Sequence, residues 1–224
     1  MVKGKITEIF DSVQGEGLYL GERQLFVRLH GCNMKCRFCD TKTTHYIEYH
    51  PQELLKELDM YENDYHSVSF TGGEPLMQKD FLKNALELTS RSGYKNYLET
   101  NGTLPAALSE VIQHIDIVAM DLKFPSSTGA DAYWQTHTEF LSIAVQKEVF
   151  LKAVICKDTA EVDLRLGLEL IKSVGRAAML VLQPNFFEDS IELREKIEKY
   201  RDICLESSIL TCVIPQMQKV MWMP

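Results

Sequence analysis

Long hydrophobic runs are missing from this 224-residue chain, whose uninterrupted apolar stretches reach only about six residues, against the ~20 that a membrane-spanning helix needs. No apolar signal-peptide core follows the N-terminal Met-Val-Lys-Gly-Lys, so a cytoplasmic protein with no membrane contact is expected. Positive charge is scarce as well, with 24 Lys and Arg against 32 Asp and Glu and a formal charge of −8. That balance argues against a broad phosphate-binding surface, and so against direct nucleic-acid contact. No low-complexity tract or Pro/Gly-rich linker divides the sequence, and residues 1–224 are expected to form a single domain. With 45% hydrophobic and 25% charged residues, the composition is that of a globular protein able to bury a sizeable core.

Three of the six cysteines, Cys32, Cys36 and Cys39, lie within eight residues, directly after an apolar run. Thiolates are soft ligands that select Fe–S clusters, zinc or Cu(I). Three on one short loop can hold three corners of a cubic cluster and leave the fourth iron open for chemistry. A zinc loop is the bland alternative, but zinc wants four protein ligands. His30 or His45 could add one, although no second C-x2-C or H-x3-H pair appears. The remaining Cys156, Cys204 and Cys212 lie in apolar surroundings and are expected to be buried small hydrophobes.

Taken in order, residues 6–10 alternate as a short edge strand and lead into a polar loop, Asp11 to Gly17. Gln24 to Leu29 reads as a strand delivering its end to the cysteine loop. Arg28, the one charge inside it, needs either an internal acidic partner or a substrate carboxylate. Pro51 to Asn63 has helical spacing with a proline start. A strand at 67–70 runs into Thr71-Gly72-Gly73-Glu74-Pro75, where glycines let backbone approach a ligand, or simply make a βα turn. The alternation continues with a helix at 80–92 capped by Asp80, a strand at 95–100, a helix at 106–114 and a strand at 117–122. Beyond these come a helix at 141–146, a strand at 149–155, a helix at 158–174 whose Asp158-x-x-Glu161 forms a capping box, and a strand at 178–182. A helix at 190–205 with Ser190 as N-cap and a final strand at 209–214 close the series. Six strands before the last, separated by helices, imply right-handed βαβ units: an α/β fold built as a partial, open parallel β/α barrel of about six strands with helices outside.

Every polar cluster then falls just after a strand and converges on one rim with the cysteine loop. Gly31-Cys32-x3-Cys36-x2-Cys39 and Gly72-Gly73-Glu74-Pro75 resemble the signature and GGEP motifs of radical S-adenosylmethionine (SAM) enzymes. Val13-Gln14-Gly15-Glu16-Gly17, Cys39-Asp40-Thr41-Lys42 and the terminal Pro215-Gln216-Met217-Gln218-Lys219 with Pro224 narrow the resemblance to the 7-carboxy-7-deazaguanine synthase family. It spans the whole chain. The resemblance implies a [4Fe–4S] cluster on Cys32, Cys36 and Cys39, and SAM against Phe38, Cys39, Asp40, Gly73, Glu74, Glu99, Thr100, Asn101, Asp121, Leu122, Lys123, Gln183, Pro184 and Asn185. It implies a 6-carboxytetrahydropterin substrate on Val13, Gln14, Gly15, Arg28, Thr71 and the Pro224 carboxylate, with Mg²⁺ on Thr41, a hydroxyl that otherwise reads as capping a turn. An N-terminal substrate loop and a C-terminal tail would close the site. Glu16 and Glu99 are the acid–base candidates, each equally suited to hydrogen-bonding a purine-like edge. An external flavodoxin- or ferredoxin-type electron donor and a homodimer follow by the same analogy. One departure is plain: Gln218 stands where the family usually has His. A glycyl-radical-enzyme activase and a non-enzymatic metal-binding scaffold are the rival readings.

Overall fold

Alternating side chains decide which face of each strand meets the helices and which meets the site. The computed structural model describes residues 2–41, 44–175 and 178–221. In chain order the elements are β1 (Gly4–Val13), β2 (Arg23–Leu29), β3 (Ile47–Tyr49), α1 (Pro51–Leu58), β4 (Ser67–Gly72), α2 (Lys79–Arg91), β5 (Asn96–Thr100) and α3 (Pro105–Val111). They continue as β6 (Ile117–Asp121), α4 (Pro125–Thr128), α5 (Trp134–Ala144), β7 (Glu148–Ile155), α6 (Glu161–Ser173), β8 (Met179–Pro184), α7 (Ile191–Glu206), β9 (Thr211–Val213) and α8 (Met217–Val220). One nine-stranded sheet runs in the order β3-β1-β2-β4-β5-β6-β7-β8-β9. From β2 through β9 every neighbour is parallel, while β1 pairs antiparallel with both β2 and β3. The sheet is open, with β3 and β9 as its edges, and the architecture is the expected partial β/α barrel.

Leu25, Val27 and Leu29 of β2, Val68 and Phe70 of β4, Val118, Met120 and Leu122 at β6, and Leu151, Ala153 and Ile155 of β7 all join one large core shared with the helices. Their neighbours point the other way. Tyr97, Ile117, Ala119, Phe150 and Val181 form a small second cluster, and two residues further along the same strands stand Glu99, Asp121, Lys152 and Gln183. A period of two thus floors the inner face with apolar side chains and puts polar ones above them, at the strands' C-terminal ends.

The structure corrects several boundaries. β1 runs to Val13 and absorbs part of the expected loop, and β3 was not expected. α1 ends at Leu58, with the Glu53 carboxylate accepting from the His50 amide at 2.7 Å and Pro51 at its first position. Asp80 lies in the first turn of α2 behind Gln78, where it still favours the positive end of the helix. The Asp158-x-x-Glu161 box does not form: α6 begins after Ala160 with no side-chain cap, and Asp158 stands 3.8 Å from Arg37 instead. α5 starts at Trp134, earlier than read. Ser190 does cap α7, accepting from the Leu193 amide. Cys156 and Cys204 are buried, but Cys212 is half-buried beside Met179.

Candidate active site

The strand ends open into one cavity of about 810 Å³, within the range of small-molecule sites. Its wall brings together the thiols of Cys32, Cys36 and Cys39, the N-terminal Val13 to Glu16, Arg28, Thr71, Gly73, Glu99 to Asn101, Asp121, Lys123, Gln183 and Asn185. Phe38, Asp40 and Thr41 line it too. Glu74, Leu122 and Pro184 do not. Leu122 belongs to the outer core, and the Glu74 carboxylate is turned inward and fully buried. There it accepts from the amides of Leu76 and Asn101 and from the Thr100 hydroxyl, bracing three segments behind the cavity. Lys42 and Pro224 lie outside the described residues.

The cysteine loop is held from behind. Gly73 has no room for a side chain, because a Cβ there would collide with the Gly31 carbonyl and the Cys32 Cβ. Asn101 donates to Asn33 Oδ1 at 2.9 Å and approaches Cys32 Sγ at 3.9 Å. Burial pushes the Cys32 and Cys36 thiols up, a cost that a cationic metal group would reverse. All three cysteines are free. No three His, Cys, Asp or Glu side chains among the described residues form a group that could hold one metal ion. Three thiols on a shared wall, with no fourth His, Cys, Asp or Glu grouped with them among the described residues, suit a cluster better than a zinc ion, and the residues present fit that group. Thr41 is half-buried, with its hydroxyl 3.4 Å from Asp40 Oδ1.

Electrostatics divide the two carboxylates singled out in the sequence. Burial pushes the Glu16 carboxyl up, but Lys152 at 2.6 Å and donors from Gln216 and Gln218 outweigh it and bring the pKa down to about 2. A carboxylate that occupied is a poor proton acceptor. Glu99 accepts from Gln14 Nε2 at 3.0 Å, Thr71 Oγ1 at 3.1 Å and Ser69 Oγ at 3.4 Å, and no ion pair is formed by it among the described residues. Arg28 has an acidic partner, Glu8 at 2.9 Å, and also lines the cavity. Lys123 pairs with Asp121 at 3.0 Å. Lys219 reaches Asp40 at 2.5 Å, tying the tail to the cysteine loop.

Sequence reasoning missed Lys152. It is 5% exposed in the middle of β7 and reaches Glu16 and, at 3.9 Å, Asp121. The signal was available, since a lone cation within Val-Phe-Leu-Lys-Ala-Val-Ile demands a partner as Arg28 does.

Comparison with known proteins fits this geometry. The family model for the Radical SAM superfamily matches residues 26–148. The chain is 36% identical over 203 residues to the 7-carboxy-7-deazaguanine synthase of Geobacter sulfurreducens, covering 80% of this chain and 81% of the relative. It is 33% identical over 222 residues to that of Thermoplasma acidophilum, covering 97% and 96%. Among solved structures, QueE from Escherichia coli superposes with a TM-score of 0.65 at 21% identity, covering 94% of this chain and 93% of that one, a likeness of fold.

Proposed function

This chain belongs to the 7-carboxy-7-deazaguanine synthase family of the radical SAM superfamily, and from that premise we propose how its own residues divide the work. It is a radical SAM enzyme of 7-deazapurine biosynthesis that rearranges 6-carboxy-5,6,7,8-tetrahydropterin to 7-carboxy-7-deazaguanine with loss of ammonia. Its cofactors are a [4Fe–4S] cluster and SAM. Membership sets aside the activase and scaffold readings. When bound, the cluster and SAM would supply the radical chemistry, so the protein's task is to bind, orient and exclude water.

Cys32, Cys36 and Cys39 would hold the cluster, with Asn101 and the Gly31–Gly73 contact fixing their loop. Phe38, Asp40, Gly73, Thr100, Asn101, Asp121, Lys123, Gln183 and Asn185 would form the SAM half. Glu74 would act there by bracing rather than by contact. Val13, Gln14, Gly15, Arg28 and Thr71 would take the pterin, Arg28 sharing its guanidinium between Glu8 and the substrate carboxylate. Of the two carboxylates, Glu99 is the one free to meet substrate. Held by neutral donors, it suits the amino and ring N–H groups of a pyrimidinone edge. Thr41 would give one ligand to Mg²⁺, the substrate carboxylate and waters supplying others. That Gln216, Gln218 and Lys219 of the tail line the cavity supports the family's substrate contact at Pro224. An external flavodoxin- or ferredoxin-type reductant and a homodimer complete the reading.

The observation that carries it is the single cavity shared by three free thiols and the Gln14–Glu99–Thr71 network. Anaerobic reconstitution should give four irons and four sulfides per chain, with SAM perturbing the EPR signal of the reduced cluster. Incubation with SAM, reductant, Mg²⁺ and the pterin should then yield the deazapurine. 5′-Deoxyadenosine without that product would sink the substrate assignment. Thr41→Val should raise the Mg²⁺ concentration needed for half-maximal activity, and no change would remove Thr41 as a ligand.

A further inference from the structure

Lys152 differs from the other cations of the cavity wall in depth and in what lies behind it. Its side chain is 6% exposed, whereas Arg28 is 24% and Lys219 18% exposed. Ladders on both sides fix its backbone, pairing it with Asp121 of β6 and Val181 of β8. Glu16 lies on the connection after β1, and the tail follows β9, so neither has that support. Yet the three meet at one carboxylate. Glu16 Oε2 accepts from Lys152 at 2.6 Å, and Oε1 accepts from Gln216 at 2.8 Å and Gln218 at 2.7 Å. Alongside, the Met217 amide donates to the Gly15 carbonyl at 2.9 Å.

We propose that Lys152 is a positioning residue: from the centre of the sheet it fixes Glu16, and through Glu16 it holds the C-terminal tail as the wall of the pterin half of the cavity. An ionised carboxylate is roughly twice as strong an acceptor as a neutral one, and only a buried counter-charge keeps Glu16 ionised and turned inward at this depth. Gln218 makes the dependence sharper in this chain. It holds Glu16 through one amide hydrogen bond, while its own Oε1 is buried without a partner among the described residues. The SAM half should depend on it less, because Asp121 has a closer partner in Lys123, at 3.0 Å, than in Lys152, at 3.9 Å.

Hydrogen exchange at the Met217 amide, read on the protein without its cluster, tests the proposal. Lys152→Met is expected to exchange there at least tenfold faster than wild type. In reconstituted enzyme, KM for the pterin should rise about tenfold while KM for SAM and kcat change less than twofold. Because Lys152→Met alone strands a buried charge, the neutral pair Lys152→Met with Glu16→Gln keeps the test open should the single variant not fold. It is expected to fold and still lose tail protection. Wild-type protection in the neutral pair would mean that Lys152 merely balances Glu16, and equal rises in both KM values would mean a general loss of structure; either overturns the proposal. The kinetic arm rests on the function proposed above and the exchange arm does not, so the failure of one is distinguishable from the failure of the other.

Discussion

Two buried titratable side chains behind the cysteine loop pull stability in opposite directions. Burial pushes the Glu74 carboxyl up to about 7, despite three hydrogen bonds that favour its charged form. Burial pushes the His137 imidazole down to about 4, with Nε2 3.1 Å from the Asn101 carbonyl and Nδ1 buried without a partner among the described residues. Between pH 4.5 and 6.5 the unfolded chain has lost the Glu74 proton that the folded chain keeps, so this group's stability falls as pH rises. Over the same window the unfolded chain binds a proton at His137 that the folded chain refuses, so stability rises with pH. Each slope is about 1.4 kcal/mol per pH unit, and the two nearly cancel. Glu16, at about 2, titrates below the window. Urea unfolding of the cluster-free wild type is therefore expected to show from pH 4.5 to 6.5 only the shallow rise left by His66, whose imidazole burial also pushes down. His137→Gln should decline with rising pH and Glu74→Gln should climb. Parallel curves for all three proteins would show that neither group is perturbed by burial.

At the level of elements, two glycines in superficially similar loops are under different constraints. Gly93 follows α2 with φ +89° and open space where a Cβ would go, so Gly93→Ala costs only the strain of the left-handed conformation, about 1 kcal/mol. Gly73 has an ordinary φ but meets the Gly31 carbonyl and Cys32 Cβ, both parts of the cysteine loop. Gly73→Ala must displace that loop, at about 1–3 kcal/mol. Chemical denaturation should find both variants folded. Iron and sulfide per chain after reconstitution should stay at wild-type level in Gly93→Ala and fall by at least half in Gly73→Ala; equal loading would show that the loop tolerates the shift. The sequence marked Gly73 as a place where backbone could approach a ligand, but not this difference. Spacing reveals a glycine at a strand end and leaves unstated which backbone approaches it. For the same reason β3 escaped notice: Ile47–Tyr49 has only three residues and becomes a strand by pairing with β1, where Gly4 lies opposite Tyr49, 45 residues away, a relation set by register rather than by local pattern. Asp80 failed as a cap because α2 starts before it, at Lys79, and Asp158 because α6 starts after it, at Glu161.

For the molecule as a whole, fold and site occupy opposite faces of one sheet, and this separation explains what was legible. The outer face obeys burial, so Leu25, Phe70, Leu98 and Leu151 announce their strands through apolar runs. The inner face obeys pairing across the cavity. Lys152 with Glu16, and Glu99 with Gln14, are separated by 136 and 85 residues, and no spacing rule connects them. The same separation has an energetic consequence. The large core includes no residue of the cysteine loop; Met34 is buried but lines the cavity. The loop is therefore expected to contribute little to the cooperative unfolding of the cluster-free protein. Replacing Cys32, Cys36 and Cys39 together by Ala should leave far-UV circular dichroism unchanged and move cluster-free stability by no more than about 1 kcal/mol, the range of substitutions outside a core, while abolishing iron binding. Phe70→Ala, in the outer core at 0% exposure, should cost about 3–5 kcal/mol by leaving a cavity. Unfolding of the triple variant under conditions where the cluster-free wild type stays folded would make the loop part of the fold's foundation, and would contradict its position on the rim.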